Sequence, residues 1–166
     1  DVRSGGHGPA LGAHRIADAV YERLTGDKGV FATRIAYVTR AANRFTLRTT
    51  DADGEGGQVA LSSVEPIISP AWSPDGRELA YVSFERGNSS IVIQDIATSA
   101  REVVAAFKGI NGAPSFSPDG RKLAMALSKS GNPEIHVMDL GSRALTQLTN
   151  QFGIDTEPTW SADGAT

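Results

Sequence analysis

The chain has 166 residues, of which 40% are hydrophobic and 21% are charged, and its formal net charge is −3. This composition is typical of a globular protein, and the small negative charge does not favour binding to nucleic acid phosphates or anionic lipids. No run of about 18 apolar residues appears, so no membrane-spanning helix is predicted. Cysteine is absent, which excludes disulfides and cysteine-based zinc sites.

The N-terminal region is predicted to contain a leader followed by a helix. Residues 1–12 are rich in Gly, lack the basic-then-apolar order of a signal peptide and are expected to be a disordered leader. Ile16, Val20 and Leu24 then recur at helical spacing, and Gly26 follows where a C-cap belongs. We therefore expect residues 13–33 to hold one amphipathic helix and a linker, the end of a truncated N-terminal domain.

From about residue 34 onwards the sequence repeats with a constant step of 44 residues. The motif Ser-Pro-Asp-Gly at 73–76 returns at 117–120, and Ser-Ala-Asp-Gly stands at 161–164. The same step relates three aromatic residues and three alanines, which are expected to pack between neighbouring sheets: Trp72, Phe116 and Trp160, and Ala36, Ala80 and Ala124. Such a period indicates a repeat architecture.

Each repeat is predicted to contain four short strands bounded by turn residues. In the second repeat the strands are expected near 69–73, 78–84, 89–95 and 101–106, with Asp75-Gly76 and Gly87-Asn88 as hairpin turns. Four strands in about 44 residues is the period of a β-propeller, and helical repeats do not match these β-rich segments. The predicted fold class is all-β, a partial propeller of about three four-stranded blades preceded by one α-helix.

The predicted blades do not make a complete ring. They cover about residues 34–64, 68–107 and 112–150 and the start of a next blade at 156–166, and the first lacks its innermost strand. A closed propeller has about 4 to 8 blades. We therefore expect the chain to be a fragment truncated at both ends, with open edges.

Motifs for catalysis or metal binding are missing from the sequence. His7, His14 and His136 are predicted to lie in the leader, the helix and a strand, with structural or solvent-facing roles. No nucleophile elbow, H-E-x-x-H motif or P-loop is present. The stretch 51–57 has two carboxylates but lacks the closing Glu of a calcium loop, so a strand connection is predicted. Neither a cofactor nor a metal is expected.

A candidate binding surface emerges from comparing the repeats with one another. Because strands alternate in direction, the loops after the first and third strands share one face of the propeller, and the other loops share the opposite face. The residues before each innermost strand lie on that opposite face and differ between copies: 67–69, 111–113 and 155–157. Positions that differ are available to a partner, although ordinary loop residues shaped by local turns remain the alternative.

The repeat "SPAWSPDGRELAYVSFERGNSSIVIQDI" and the junction "VYERLTGDKGVFATRIAYV" together resemble the TolB family, the periplasmic components of the Tol-Pal system of Gram-negative bacteria. The resemblance runs from about Ala13 to Thr166. It implies a six-bladed WD40-like propeller behind a small α/β domain, with a C-terminal strand that closes the first blade.

The same resemblance implies a non-enzymatic, periplasmic role. Family members bind the peptidoglycan-associated lipoprotein Pal through the propeller, and bind TolA and colicins through an N-terminal segment absent from this chain. This links the family to outer-membrane integrity, cell division and colicin import. Transferred by position, the Pal-binding residues are Ile110, Asn111, Ala113, Thr156 and Glu157, with Ile110 at a place where relatives can carry histidine. The alternative is the propeller of a prolyl-oligopeptidase-like serine peptidase that gates substrate access.

Overall fold

The first element of the computed structural model, which describes residues 9–166, is helix α1 (Pro9–Thr25). The helix begins earlier than the predicted start at Ala13, because proline fits the first turn of a helix, where its missing N–H is not needed. It ends as expected, since Gly26 has a φ of 81° and its N–H donates to the Glu22 carbonyl at 2.9 Å. Residues 1–8 of the predicted leader lie outside the described residues.

Helix α1 is joined to the first sheet by polar contacts. The carboxylate of Asp18 accepts hydrogen bonds from the backbone N–H groups of Phe31 and Ala32, at 2.7 and 2.9 Å. His14 Nε2 lies 2.7 Å from Asp53 Oδ2. The predicted apolar stripe is exposed along its length, at Ile16, Val20 and Leu24. This helix has neither the length nor the apolar character needed to cross a membrane.

Three antiparallel sheets follow the helix. The first has the order β1-β2-β3, the second β4-β5-β6-β7 and the third β11-β10-β9-β8. Their strands are β1 (Arg34–Ala41), β2 (Arg44–Asp51), β3 (Gln58–Ser63), β4 (Ile67–Trp72), β5 (Glu78–Ser83), β6 (Ser90–Asp95), β7 (Arg101–Ala105), β8 (Asn111–Phe116), β9 (Lys122–Leu127), β10 (Glu134–Asp139) and β11 (Leu145–Gln147). The predicted fold class, a partial propeller of antiparallel sheets after one helix, is confirmed, with three strands in the first sheet and four in each of the others.

The repeated Ser-Pro-Asp-Gly motif forms the same turn each time. In the second blade, Gly76 N–H donates to the Ser73 carbonyl at 2.9 Å, and Gly76 has a φ of 67°. The Asp75 carboxylate accepts from Ser73 Oγ at 2.7 Å and from Arg77 N–H at 3.0 Å. Gly120 and Gly164 have φ values of 71° and 70°, and the same side-chain bonds recur. The predicted role of glycine in this turn is confirmed.

The repeated turns and the connections between blades lie at opposite ends of the strands, as the alternating direction of the strands predicts. We call the loops 73–78, 95–100, 117–122 and 139–144 the turn face, where Ile96 N–H donates to the Arg77 carbonyl at 3.0 Å. We call the loops 63–69, 84–89, 106–113, 128–134 and 148–157 the connection face. There Phe84 N–H donates to the Pro66 carbonyl at 3.1 Å, so each inner strand is tied to a hairpin of its own blade.

The hydrophobic core consists of the layers between adjacent blades. One cluster joins the second blade to the third and includes Ala80, Ile91, Phe116, Leu123 and Met125. The other joins the first blade to the second around Leu47, Tyr81 and Val92, with Ala36 and Trp72 packed against it. The predicted packing of aromatic and alanine positions between blades is confirmed for these two junctions.

The turn face also carries contacts between blades. The Arg34 guanidinium lies 4.3 Å from the Trp72 ring centre and donates to the Gly76 carbonyl. A Cβ added to Gly120 would lie 3.7 Å from Pro74 Cδ, and one added to Gly164 would lie 3.5 Å from Pro118 Cδ. The second and third turns therefore lie close to the proline of the preceding turn, and the first lies against Arg34.

Candidate protein-binding surface

The connection face presents Ile110 on a tightly built loop. Its N–H donates to Ser128 Oγ at 2.7 Å, and its carbonyl accepts from Ser128 N–H at 3.0 Å. Gly109 has a φ of 87°, and a Cβ there would lie 2.3 Å from Ser128 Oγ, so glycine is required. The Ile110 side chain is nevertheless 53% exposed. The loop holds this apolar side chain towards solvent.

Asn111 supports the same loop from inside. Its side chain has 0% exposure, and its Oδ1 accepts from Phe107 N–H at 2.8 Å. Its Nδ2 donates to the carbonyls of Phe107 at 2.8 Å and Ser89 at 3.0 Å. Because these hydrogen bonds occupy its amide, Asn111 fixes the backbone of the connection between the second and third blades. Its side chain is therefore not available at the surface.

A left-handed residue recurs at the start of each innermost strand. Ser69, Ala113 and Glu157 have φ values of 51°, 48° and 53° and lie at the same position of three repeats. The register of β4 with β5 and of β8 with β9 shifts at this point, as in a β-bulge. Pro70 and Pro114 follow directly, where the missing N–H costs no ladder hydrogen bond. Glu157 has the same left-handed backbone although it lies outside the regular strands.

The third connection, 148–157, is anchored by a buried carboxylate that the sequence analysis did not select. Glu134 is 1% exposed. Its Oε2 accepts from Thr149 Oγ1 at 2.6 Å, and its Oε1 accepts from Asn132 Nδ2 at 3.0 Å and from Gln151 N–H at 3.1 Å. A glutamate at an inward position of a strand, where the second repeat has Ser90, is the signal that would have identified it.

Asn132 and Asp155 complete this anchor. Asn132 Nδ2 donates to the carbonyls of Gln151, at 2.9 Å, and Gly153. Asp155 N–H donates to the Pro133 carbonyl at 2.9 Å, and Asp155 Oδ1 accepts from Gln151 Nε2 at 2.7 Å. The connection is thus held at both ends, although it contains no regular strand.

The predicted site residues fall into two groups on the connection face. Ile110, Thr156 and Glu157 are exposed, whereas Asn111 and Ala113 are buried. The exposed three are able to touch a partner directly, and the buried two hold the backbone that presents them. Their role in binding remains a prediction.

The residues considered for catalysis or metal binding do not assemble into a site. His14 pairs with Asp53, and the pKa of Asp53 is lowered by a hydrogen bond from Glu55 N–H and then by His14. His136 has 0% exposure, with Nδ1 3.0 Å from the Glu134 carbonyl. His7 lies outside the described residues. Asp51 to Gly57 forms the turn between β2 and β3. Across residues 9–166, no group of three or more His, Cys, Asp or Glu side chains is placed to hold a metal ion.

Comparisons with known proteins agree with this architecture. In a curated relative, the Tol-Pal system protein TolB of Xanthomonas oryzae pv. oryzae, 66% of 105 aligned residues are identical, covering 61% of this chain and 24% of the relative. The chain thus spans about a quarter of the length of the curated relatives it matches. The crystal structure of TolB from Acinetobacter baumannii matches with a TM-score of 0.83 and 49% identity, over 93% of this chain and 40% of that one.

More distant structures share the fold alone. The β-propeller domain of the Trilobed protease from Pyrococcus furiosus matches with a TM-score of 0.56 and 20% identity, over 72% of this chain and 40% of that one. The family model described as the TolB beta propeller domain, in contrast, matches residues 21–166. With its 44-residue blades, shared turns and this match, the chain belongs to the TolB beta-propeller domain family.

Proposed function

We propose that this chain is a non-enzymatic, protein-binding part of the periplasmic Tol-Pal system and that its connection face binds the lipoprotein Pal. Through Pal it would support outer-membrane integrity and cell division. The family assignment carries this proposal, because it places the chain with proteins named as Tol-Pal system components. The proposal assigns no part of the TolA and colicin interactions to residues 9–166.

The difference in residue content between the turn face and the connection face supports the connection face as the binding surface. On the turn face, the same serine, aspartate and glycine bonds recur in three repeats, so these residues maintain the scaffold. On the connection face, the residues before the innermost strands, 67–69, 111–113 and 155–157, differ from one repeat to the next. Ile110, Thr156 and Glu157 would make the contacts, and Asn111 and Ala113 would position them. Glu157 would accept hydrogen bonds from a basic side chain of Pal.

Charge reversal at Glu157 tests this proposal. The affinity of the intact protein for the periplasmic domain of Pal from the same bacterium would be measured by calorimetry, for the wild type and for Glu157→Arg. We expect Glu157→Arg to weaken binding about tenfold, as expected for loss of a charged contact and introduction of repulsion.

A matched control exists on the other face. Glu55 is exposed in the turn between β2 and β3 and forms no side-chain hydrogen bond within the described residues. Glu55→Arg changes the net charge by the same amount and should leave the affinity within about twofold. Equal affinity of the Glu157→Arg protein and the wild type would remove Glu157 from the site, and no binding by the wild type would refute the proposed function.

The peptidase alternative has less support. The matching propellers of peptidases are 17–20% identical to this chain and share the fold only. Sequencing the complete gene separates the two proposals, because a peptidase would encode a hydrolase domain with a nucleophile elbow.

A further inference from the structure

Two successive connections expose an isoleucine at the same repeat position. Ile110 is 53% exposed and Ile154 is 71% exposed, and each lies three residues before the left-handed bulge residue of its blade. Phe152, on the same connection as Ile154, is 107% exposed, that is, fully accessible to solvent. Single exposed apolar residues are ordinary, but large apolar side chains that recur on one face mark an interaction surface.

Exposure at these repeat positions is seen in other connections as well. Ile110 lies at the junction of two four-stranded sheets and is still exposed. Val64, which occupies the repeat position of Phe152, is 64% exposed between the first and second sheets. The equivalents of Phe152 and Ile154 in earlier repeats, Val64 and Ile110, are therefore exposed too.

The backbone below the three side chains is already ordered. Ile110 is fixed by Ser128 and by the buried amide of Asn111. The segment that carries Phe152 and Ile154 is fixed by Glu134, which binds Thr149 and Gln151, and by Asn132, which binds the carbonyl of Gly153. A surface that is ordered before binding loses little conformational entropy when it docks, so its apolar contacts contribute more of their energy to affinity.

Charged side chains of opposite sign lie on the same connections as these apolar residues. Glu157 follows Ile154 on the third connection, whereas Lys108 and Lys129 lie on the loops around Ile110. Lys129 Nζ is held 5.4 Å from the Phe107 ring centre. A partner with a basic group on one side and an acidic group on the other would bind in one orientation only.

We propose that Ile110, Phe152 and Ile154 form an apolar anchor surface for a folded protein partner that presents an apolar pocket between a basic and an acidic side chain. This inference rests on the proposed function, since it describes how the connection face would engage Pal. It adds Phe152 and Ile154, which the comparison of repeats alone did not select. Buried apolar and aromatic anchors near the centre of an interface contribute most of its binding energy.

Replacement of the anchors tests the inference. Affinity for the periplasmic domain of Pal would be measured for Ile154→Ser, Phe152→Ser and the double variant Ile110→Ser/Ile154→Ser of the intact protein. We expect each single variant to bind about tenfold more weakly and the double variant about a hundredfold. The losses should persist at about 0.5 M NaCl, whereas the effect of Glu157→Arg should shrink there because salt screens charges.

Two further variants control the measurement. Val59 on β3 is 54% exposed outside the connection face, so Val59→Ser should bind like the wild type. Ile154→Val keeps an apolar side chain and should retain most of the affinity. All of these positions are exposed, so the unfolding transition should be unchanged.

The outcomes separate this inference from the proposed function. If the wild type binds Pal, Glu157→Arg weakens binding and the three serine variants bind within about twofold of the wild type, the apolar anchor surface is refuted and the proposed function stands. If the wild type does not bind Pal, both are refuted.

Discussion

Asn111 and Asp155 occupy the same position of two successive blade connections, but only the Asn111 side chain is fully hydrogen-bonded. Asn111 Oδ1 accepts from Phe107 N–H, and Asn111 Nδ2 donates to two carbonyls at 3.0 Å or less. Asp155 Oδ1 accepts from Gln151 Nε2, while Asp155 Oδ2 is buried without a partner among the described residues. An unpaired buried carboxylate oxygen is costly, so the third connection is the less stable of the two.

Asp155→Asn should therefore stabilise the protein. The side-chain oxygen can still accept from Gln151 Nε2, and an uncharged NH2 group replaces the buried carboxylate oxygen that has no partner. We expect the free energy of unfolding to rise by about 1 kcal/mol, measured by urea denaturation. Asp27→Asn, at an exposed aspartate beyond α1, is the control and should have no effect. A lower stability of Asp155→Asn would contradict this account.

Asn111→Ala should have the opposite effect. It leaves the Phe107 N–H and the Phe107 and Ser89 carbonyls without their side-chain partner in a buried place. Unsatisfied buried groups of this kind predict a loss of about 3 kcal/mol in the free energy of unfolding. Asn88→Ala, in an exposed hairpin, should change it by less than about 0.5 kcal/mol. Equal unfolding curves for the two variants would show that the amide does not support the connection.

Acid should destabilise the turn face. Hydrogen bonds from Ser117 Oγ and then from Arg121 N–H lower the pKa of Asp119 below 3.8. The pKa values of four other turn aspartates are lowered in the same direction: Asp75, Asp95, Asp139 and Asp163. A carboxyl with a lowered folded-state pKa stabilises the fold above its unfolded pKa, and this contribution is lost as the pH falls through the folded-state value.

We therefore expect the melting temperature to fall steeply below about pH 4, as followed by circular dichroism. In Asp119→Asn the side-chain oxygen can still accept both hydrogen bonds, but no proton is taken up. Its melting temperature should be lower than that of the wild type at neutral pH and should fall less on acidification. Parallel pH profiles of the two proteins would rule out this role of Asp119.

Glu78 should have the opposite effect on the pH dependence of stability. Burial, followed by repulsion from Asp75, Asp95 and Glu102, raises its pKa above 4.5. The charged form is thus disfavoured in the folded state, and the penalty, absent at low pH, grows as the pH rises through this range. Glu78→Gln should stabilise the protein by about 0.5 kcal/mol at pH 7, with no gain at about pH 4. Glu65→Gln, at an exposed glutamate, serves as the control, and a gain that is the same at both pH values would contradict the charge argument.

Much of the fold could be predicted because local and periodic signals agree. Asp-Gly and Gly-Asn pairs delimit the hairpins, and the strands of the second blade begin and end within two residues of the predicted positions. The start of α1 was missed because Pro9 and Gly12 indicate a loop when they are considered one at a time. Proline at the first turn is compatible with a helix, and the following turns provide the hydrogen bonds.

The candidate surface was less predictable because tertiary contacts decide it. Ser69, Ala113 and Glu157 have no residue type in common, yet all three have the same left-handed backbone, and at Ser69 and Ala113 this coincides with a register shift of the innermost strand. Asn111 differs from its repeat equivalents because it supplies donors to buried carbonyls. Sequence variation between the repeats does not by itself distinguish this structural role from contact with a partner. The inward position of Glu134 in its strand indicates a buried carboxylate, but the loop that it anchors is identified only by its hydrogen bonds to Thr149 and Gln151.

The close approach of two turns to the proline of the preceding turn constrains how this protein can change in length. Even one added Cβ on Gly120 or Gly164 would reach van der Waals distance of Pro74 or Pro118, so a residue inserted between the first two strands of a blade would disturb the spacing of neighbouring turns. On the connection face, in contrast, the side chains of Ile110 and Phe152 are exposed to solvent. Other side chains can therefore replace them without disturbing the packing between blades, and a binding specificity can be exchanged there without altering the spacing of the blades.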